Sequence, residues 1–374
     1  MPGLALTVEI LERADALARS LAPAPGTGAP DALGALTGRA ALLGLYSRGP
    51  VSAGGGTHLM RTADGWSALT LSRPDDVEAV PALLECDRVG TDPWPALHRW
   101  AATRPAAAVT GRAALLGLPA ATLGEAAPDE PLITGCGPRG QPRTVAGLLV
   151  VDLTSMWAGP WCAQLLHRAG ATVVKVESPS RPDGTRAGEP SFFDWMNSGK
   201  LCYGVDFDRD RDDLAALLSV ADVVLEGSRP AALHRRGLGP CDVAARPGRV
   251  WTRITGHGTV GDNAGRVAFG DDAAVAGGLV GHDDTGCVFL GDAIADPLTG
   301  MAAAEAVVDS LGRGGGELIE MSMAAVAAGY AAGPATPIEV DPVPPDTGAV
   351  PAGALGSANP VVHRLVAERR GAPC

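Results

Sequence analysis

Asp296 is the residue whose surroundings in this 374-residue chain most invite chemistry. It follows Asp292-Ala293-Ile294-Ala295 and precedes Pro297, which predicts a helix N-cap with proline at the first helical position. A carboxylate at a helix N-terminus stays ionised, and an ionised carboxylate can attack an activated acyl group. The same Asp-Pro pair also opens helices that carry no chemistry. Asp271-Asp272, after Phe269-Gly270, reads as a second helix cap, with a paired-carboxylate site as the other reading. Cations gather at the ends of expected strands: Lys175, then Arg181, Arg186, Arg229, Arg235 and Arg236 in the loops beyond. Arginines so placed suit a phosphorylated ligand, and solvated surface arginine is the alternative for each. The segment from Asp152 through Trp157, Ala158 and Gly159 to Pro160 leaves a strand and enters a helix with small residues that let a ligand approach free N–H groups. Its plain alternative is a tight turn with Pro160 starting the helix.

Other chemistries lack their spacing. No G-x-G-x-x-G follows Leu153, and the chain has no Walker lysine loop, no G-x-S-x-G and no H-E-x-x-H. Asp and Glu outnumber Lys and Arg by 42 to 30, giving a net charge of -12, which disfavours nucleic acid and anionic membranes as partners. No apolar run reaches the roughly 18 to 20 residues that span a bilayer. Glu9, Glu12 and Asp15 stand where a signal sequence would carry its basic head, so the expected location is cytoplasmic. Seven cysteines, none in C-x-x-C spacing, read as reduced thiols and imply no structural metal.

These residues need elements to hold them. At 46% hydrophobic the chain can bury a core, and its length suits two domains. A first helix is expected from Leu4 to Leu21, then a Pro/Gly-rich linker over 22–34. The Gly-rich stretch Gly54, Gly55 and Gly56 precedes a hairpin that turns at Asp64-Gly65. The nonapeptide TGRAALLGL occurs at Thr37–Leu45 and again at Thr110–Leu118, predicting two similar short helices rather than a solenoid. Residues 126–145 are turn-rich and predict a linker. Beyond them, apolar runs at 148–153, 172–176, 220–225, 250–255 and 318–321 alternate with helical patterns, so the expected fold class is α/β: a Rossmann-like parallel sheet in a large domain, 146–332, with a smaller α+β domain over 1–125. Residues 333–374 read as a Pro/Gly-rich tail with a short helix.

The ordered motifs of the second half resemble the family III CoA-transferases, the group of formyl-CoA transferase, carnitine CoA-transferase and α-methylacyl-CoA racemase. Val150 to Arg186 is similar to that family's first βαβ signature, including its A-G-P and K-V-E. Asn197 to Lys200, Ala221 to Pro230, Ile254 to Gly258 and Ala295 to Met301 resemble its following motifs in order. Ser52 to Leu71 and Leu115 to Ala120 resemble its small domain, here placed first. The resemblance implies that Asp296 is the nucleophile of an acyl-CoA:carboxylate CoA-transferase, working through an aspartyl mixed anhydride and an aspartyl-CoA thioester. It implies that Gly54, Gly55 and Gly56 cover the intermediate beside Trp157, Ala158 and Asp271, and that Lys175, Arg186, Arg229 and Arg235 hold CoA. Coenzyme A is then a co-substrate, no cofactor is needed, and the assembly is a homodimer. Three departures stand out: Trp157 where some members carry Gln, Gly227 where Asn is usual, and Asp271 where racemases carry His. A Trp-lined pocket favours an apolar acyl group. The alternatives are an acyl-CoA epimerase using Asp296 and Asp271, or a CoA-ester-binding protein without turnover.

Overall fold

The first residues form a strand where their spacing predicts helix. In the computed structural model, which describes residues 3–21, 30–227, 231–244, 246–284, 286–331, 333, 336–348 and 350–371, β1 (Leu4–Leu6) pairs antiparallel with residues 338–340 near the other end of the chain. Leu4 and Leu6 are both buried, as residues two apart on one face of a strand can be, whereas a helix would turn them to nearly opposite sides. Helix α1 (Val8–Ser20) starts where the Thr7 hydroxyl accepts from the Ile10 N–H, and it buries Ile10, Ala14 and Ala18 along one stripe. Residues 22–29 of the expected linker lie outside the described residues. Its end is already helical, because α2 (Ala32–Leu43) runs to the left-handed Gly44. Both helices pack into the core of the large sheet. Within the expected 1–125 domain, α1 and α2 therefore share their core with the second half.

The smaller unit is a three-stranded antiparallel sheet with helices on one side. Strands β2 (Thr57–Arg61) and β3 (Trp66–Thr70) form the hairpin around Asp64-Gly65, α3 (Pro74–Glu78), α4 (Val80–Leu84), α5 (Trp94–Ala101) and α6 (Ala106–Leu115) follow, and β4 (Ala120–Thr122) pairs with β3. Met60, Leu69 and Ala120 face those helices, while Leu59, Ala68 and Ala121 face the larger unit. The expected linker holds β5 (Leu132–Gly135), an antiparallel edge strand of the large sheet.

In that sheet β6 (Leu149–Leu153), α7 (Ala158–Arg168) and β7 (Thr172–Glu177) make the first βαβ unit, with Gly170 in the left-handed conformation at the turn. Next come α8 (Pro190–Asn197), β8 (Leu201–Gly204), α9 (Arg211–Val220), β9 (Val223–Glu226) and β10 (Val250–Thr255). A side branch of α10 (Gly270–Ala276), β11 (Val280–Asp283) and β12 (Gly286–Phe289) leads to α11 (Ala295–Gly312), β13 (Glu317–Ser322) and α12 (Met323–Tyr330). The sheet order is β5-β13-β10-β9-β6-β7-β8, parallel except at β5.

Such strands are apolar on both faces and need helices on both. Val150, Val173, Leu225 and Ile254 meet α7 and α11, with α1 and α2 outside them. Val151, Val174, Val224 and Trp251 meet α9 and the C-terminal helix α13 (Asn359–Gly371), through Val362 and Val366. The expected tail is thus structural. Its β14 (Ile338–Val340) pairs with β1, and Arg369 of α13 donates to Asp222 at 2.6 Å.

Candidate active site

Helix α11 brings Asp296 to the side of α7, where the Ala158 N–H favours its ionised form. The helices cross closely at a glycine: a Cβ on Gly300 would lie 2.7 Å from the Ala158 carbonyl oxygen and 2.8 Å from the Trp161 ring. Asp296 is not the N-cap. Ile294 holds that position, Asp296 is the second helical residue, and its own N–H is bonded to the Ala293 carbonyl at 2.8 Å. The entering turn is strained, with Ala293 at φ 44°, and Met156 just ahead of Trp157 sits at φ 75°. Non-glycine residues held there cost on the order of 1 kcal/mol or more, so packing must enforce both bends beside the carboxylate.

The N-terminus of α10 abuts the same turn. A Cβ on Gly270 would collide with the Ala293 carbonyl oxygen and Asp296 Oδ2, so only glycine lets α10 approach this closely. The adjacent aspartates divide the two roles left open by the sequence. Asp272 is the cap: its Oδ1 accepts from the Phe269 N–H at 3.0 Å and the Thr70 hydroxyl at 2.8 Å, while Oδ2 is buried without a partner among the described residues. Asp271 faces the site, accepting from the Ala293 N–H at 3.0 Å and the Thr57 hydroxyl at 3.2 Å. Thr57 opens β2 directly after Gly54, Gly55 and Gly56, and the Ser52 hydroxyl closes that loop on the Thr57 N–H at 3.1 Å. Gly54 is exposed, and a Cβ there would sit 3.7 Å from the Arg39 guanidinium. Arg39, from α2, donates to both oxygens of the buried Asp292 at 2.6 and 2.7 Å. Thr57 and Arg39 thus link the glycine loop to Asp271 and Asp292 of the turn that leads into Asp296.

These carboxyls are hard to ionise. Burial pushes Asp296 up to about 7; Asp271 adds to the shift, and the Ala158 N–H and Arg39 oppose it. Burial and then Asp292 raise Asp271 to about 6, against the Ala293 N–H, Arg39 and Thr57. Asp272 is pushed up to about 7, chiefly by burial, as its unpartnered oxygen suggests. Burial also raises Asp292, and the two Arg39 bonds work against it.

Several expected ligand contacts are spent elsewhere. Lys175 is fully buried, donating to the Thr154 carbonyl and to Asp183 at 2.8 Å, so it offers nothing to a phosphate. Arg186 grips Glu177 at 2.8 and 2.6 Å, donates to the Gly353 carbonyl at 3.2 Å and lies 4.2 Å from the centre of the Phe193 ring. Arg229 lies outside the described residues. Arg235 is exposed in the turn after β9. Trp157 is turned into the core, 3% exposed, against Phe192 and Trp195, so it does not line an open acyl pocket and the argument for an apolar acyl group loses its basis.

Residues 145–351, more than half of the chain, match the sequence profile described as CoA-transferase family III. The chain belongs to CoA-transferase family III. Among its curated relatives, a mouse succinyl-CoA:glutarate CoA-transferase is 29% identical over 186 residues, covering 45% of this chain and 42% of that protein. A succinyl-CoA–D-citramalate CoA-transferase of Chloroflexus aurantiacus is 30% identical over 176 residues, covering 44% of each. The chain spans less than half the length of these two relatives. A solved CAIB/BAIF family protein from Brucella suis aligns with 52% of this chain and 56% of its own, at 29% identity and a TM-score of 0.46.

Many family III motif residues in this chain hold the fold. Asp222 accepts from Arg143, Arg369 and the Leu149 N–H at 2.9, 2.6 and 2.9 Å, tying α13 and the 126–145 segment to the sheet. Lys200 donates to Asp152 at 3.0 Å, to the Pro160 carbonyl at 2.9 Å and to Asn197 at 3.2 Å. The sequence reading missed Arg39, Asp292 and Thr57 as neighbours of Asp296. Asp292 was visible as the first member of D-A-I-A-D; nothing in the sequence distinguishes Arg39 from its twin Arg112.

Proposed function

We propose that this chain transfers CoA from an acyl-CoA to a carboxylic acid, with Asp296 as the nucleophile. The observation that carries this reading is the Asp296 carboxyl at the start of α11, set among the Ala158 N–H, Asp271 and Arg39, with Arg39 reaching to Gly54 of the glycine loop. Attack by the carboxylate on the thioester carbonyl breaks the C–S bond, releases CoA thiolate and leaves a mixed anhydride on Asp296. The thiolate then attacks the aspartyl carbonyl, expelling the donor acid and forming the aspartyl-CoA thioester. The acceptor carboxylate repeats the exchange in reverse order, leaving as its CoA ester and restoring Asp296. An anhydride open to water would hydrolyse, and the Gly54, Gly55 and Gly56 loop is the segment that covers it in this reading. Arg235 is exposed and available to the phosphates of CoA.

The test is mass spectrometry after incubation with a panel of acyl-CoAs, with hydroxylamine added to trap an activated carboxyl. A hydroxamate on Asp296, absent without acyl-CoA and in Asp296→Ala, is the expected result. One observation favours a second reading. Asp271 and Asp296 lie together with protonation midpoints near 6 and 7, suited to sharing a proton. Deuterium entering the acyl α-carbon, with no CoA exchange and no hydroxamate, would establish an epimerase instead.

A further inference from the structure

Arg39 stands outside every motif of the second half, yet it pairs with Asp292 and its charge acts on Asp271 and Asp296. Its side chain rises from α2, lies 5.8 Å from the centre of the Trp157 ring and 5.4 Å from that of Phe192, and donates through one nitrogen to both oxygens of Asp292. Asp292 is 1% exposed and precedes Asp296 by four residues, so the ion pair is anchored to the turn that presents the nucleophile. The charged groups facing Asp296 are Asp271 from α10, Asp292 from the turn before α11 and Arg39 from α2. With these three carboxylates ionised, one guanidinium leaves two negative charges uncompensated. Electroneutrality at a buried site then decides which carboxyl keeps its proton, and the position of the cation sets that choice.

We propose that Arg39 is a positioning residue for the acyl-transfer step: clamped by Asp292 and the two aromatic rings, it presents the cationic face that keeps the Asp296 carboxylate ionised for attack. The inference rests on the CoA-transfer reading of Asp296 but adds a residue from the N-terminal region that the family profile does not reach. Electrostatics gives its two partners opposite signs. Removing Arg39 leaves Asp296 facing anions alone, so it holds its proton to higher pH. Removing the charge of Asp292 deletes an anion and frees the guanidinium, so Asp296 loses its proton at lower pH.

The test titrates the full chain carrying 13C-carboxyl aspartate by NMR without substrate, with Asp296→Asn identifying the signal, and follows the rate of aspartyl-adduct formation against pH. In Arg39→Gln the Asp296 midpoint should rise by about one unit or more, lowering the adduct rate on the acid limb about tenfold at a fixed pH. In Asp292→Asn the midpoint and the acid limb should both move the other way, and Arg39→Lys should restore most of the Arg39→Gln shift. Should Arg39→Gln fail to fold, Asp292→Asn carries the test, with a midpoint that fails to fall overturning the proposal. Folded Arg39→Gln and Asp292→Asn variants whose midpoints stay within about 0.3 unit of the parent, or move in the same direction, would overturn the proposal and make Arg39 a packing residue. If the midpoints move as expected and no acyl-CoA gives an adduct, the electrostatic role stands and the CoA-transfer reading fails.

Discussion

Two groups of buried charges lie near α7, and they are built on opposite principles. Near the ends of β6 and β7, Lys175 meets Asp183 and Lys200 meets Asp152, all four side chains fully buried and balanced two against two. Burial alone would raise both aspartates; the lysines more than reverse it, holding Asp152 below the usual carboxylate range and Asp183 at about 2. Around the start of α11 three aspartates, Asp271, Asp292 and Asp296, share one arginine, and there burial wins. The first group is compensated and fixed, which suits a scaffold. The second is short of positive charge, and carboxyls that change protonation near neutrality are what nucleophilic or proton-transfer chemistry requires.

Breaking the balance of the first group should give the largest effect. Lys200→Met strands the Asp152 carboxylate in the core and should cost about 3–5 kcal/mol in urea unfolding at pH 7. The second group should respond with the opposite sign. A carboxyl whose folded midpoint is raised weakens the fold as pH climbs from its unfolded value near 3.8 to about 7. Asp296→Asn should therefore stabilise by about 1–3 kcal/mol at pH 8, allowing for its partial exposure, and by almost nothing near pH 4. Thermal melts at the two pH values check this, and a uniform effect would remove the contrast between the groups. The smallest effect sharpens the role of Arg39. Arg112→Gln removes a partly exposed pair with Glu85 and two bonds to the Leu83 and Ala82 carbonyls, and should cost about 1 kcal/mol or less without moving the acid limb of any activity.

Much of this architecture was legible in the chain. The βαβ run needed only apolar strand segments and the Gly170 stop, and β10 appears at Val250–Thr255 as expected, because strands buried on both faces leave a continuous apolar signal. The start of α11 was legible to within two residues through Asp296-Pro297. Short edge strands were not: Leu132–Gly135 is exposed at all four positions, and its pairing with β13 leaves no pattern in its residues. Domain membership was illegible for the same kind of reason. The first helices and the last carry ordinary amphipathic stripes, and only the sheet's need for cover on both faces says where they dock.

The two copies of TGRAALLGL mark this boundary most clearly. Their residues alone determine the local outcome. Each forms the end of a helix, each threonine hydroxyl donates to a carbonyl four residues back, and each closing glycine, Gly44 and Gly117, takes a left-handed φ, of 66° and 68°. Helix propensity and capping act over one or two turns, so identical residues give helix ends that agree to within one residue. What the arginine does depends on groups far away in the chain. Arg112 caps carbonyls at the end of α4 and pairs with Glu85, whereas Arg39 meets Asp292, 253 residues further on, beside the carboxyl of Asp296. The charge state of a buried carboxylate depends on everything packed around it, and that is decided only when the chain closes on itself.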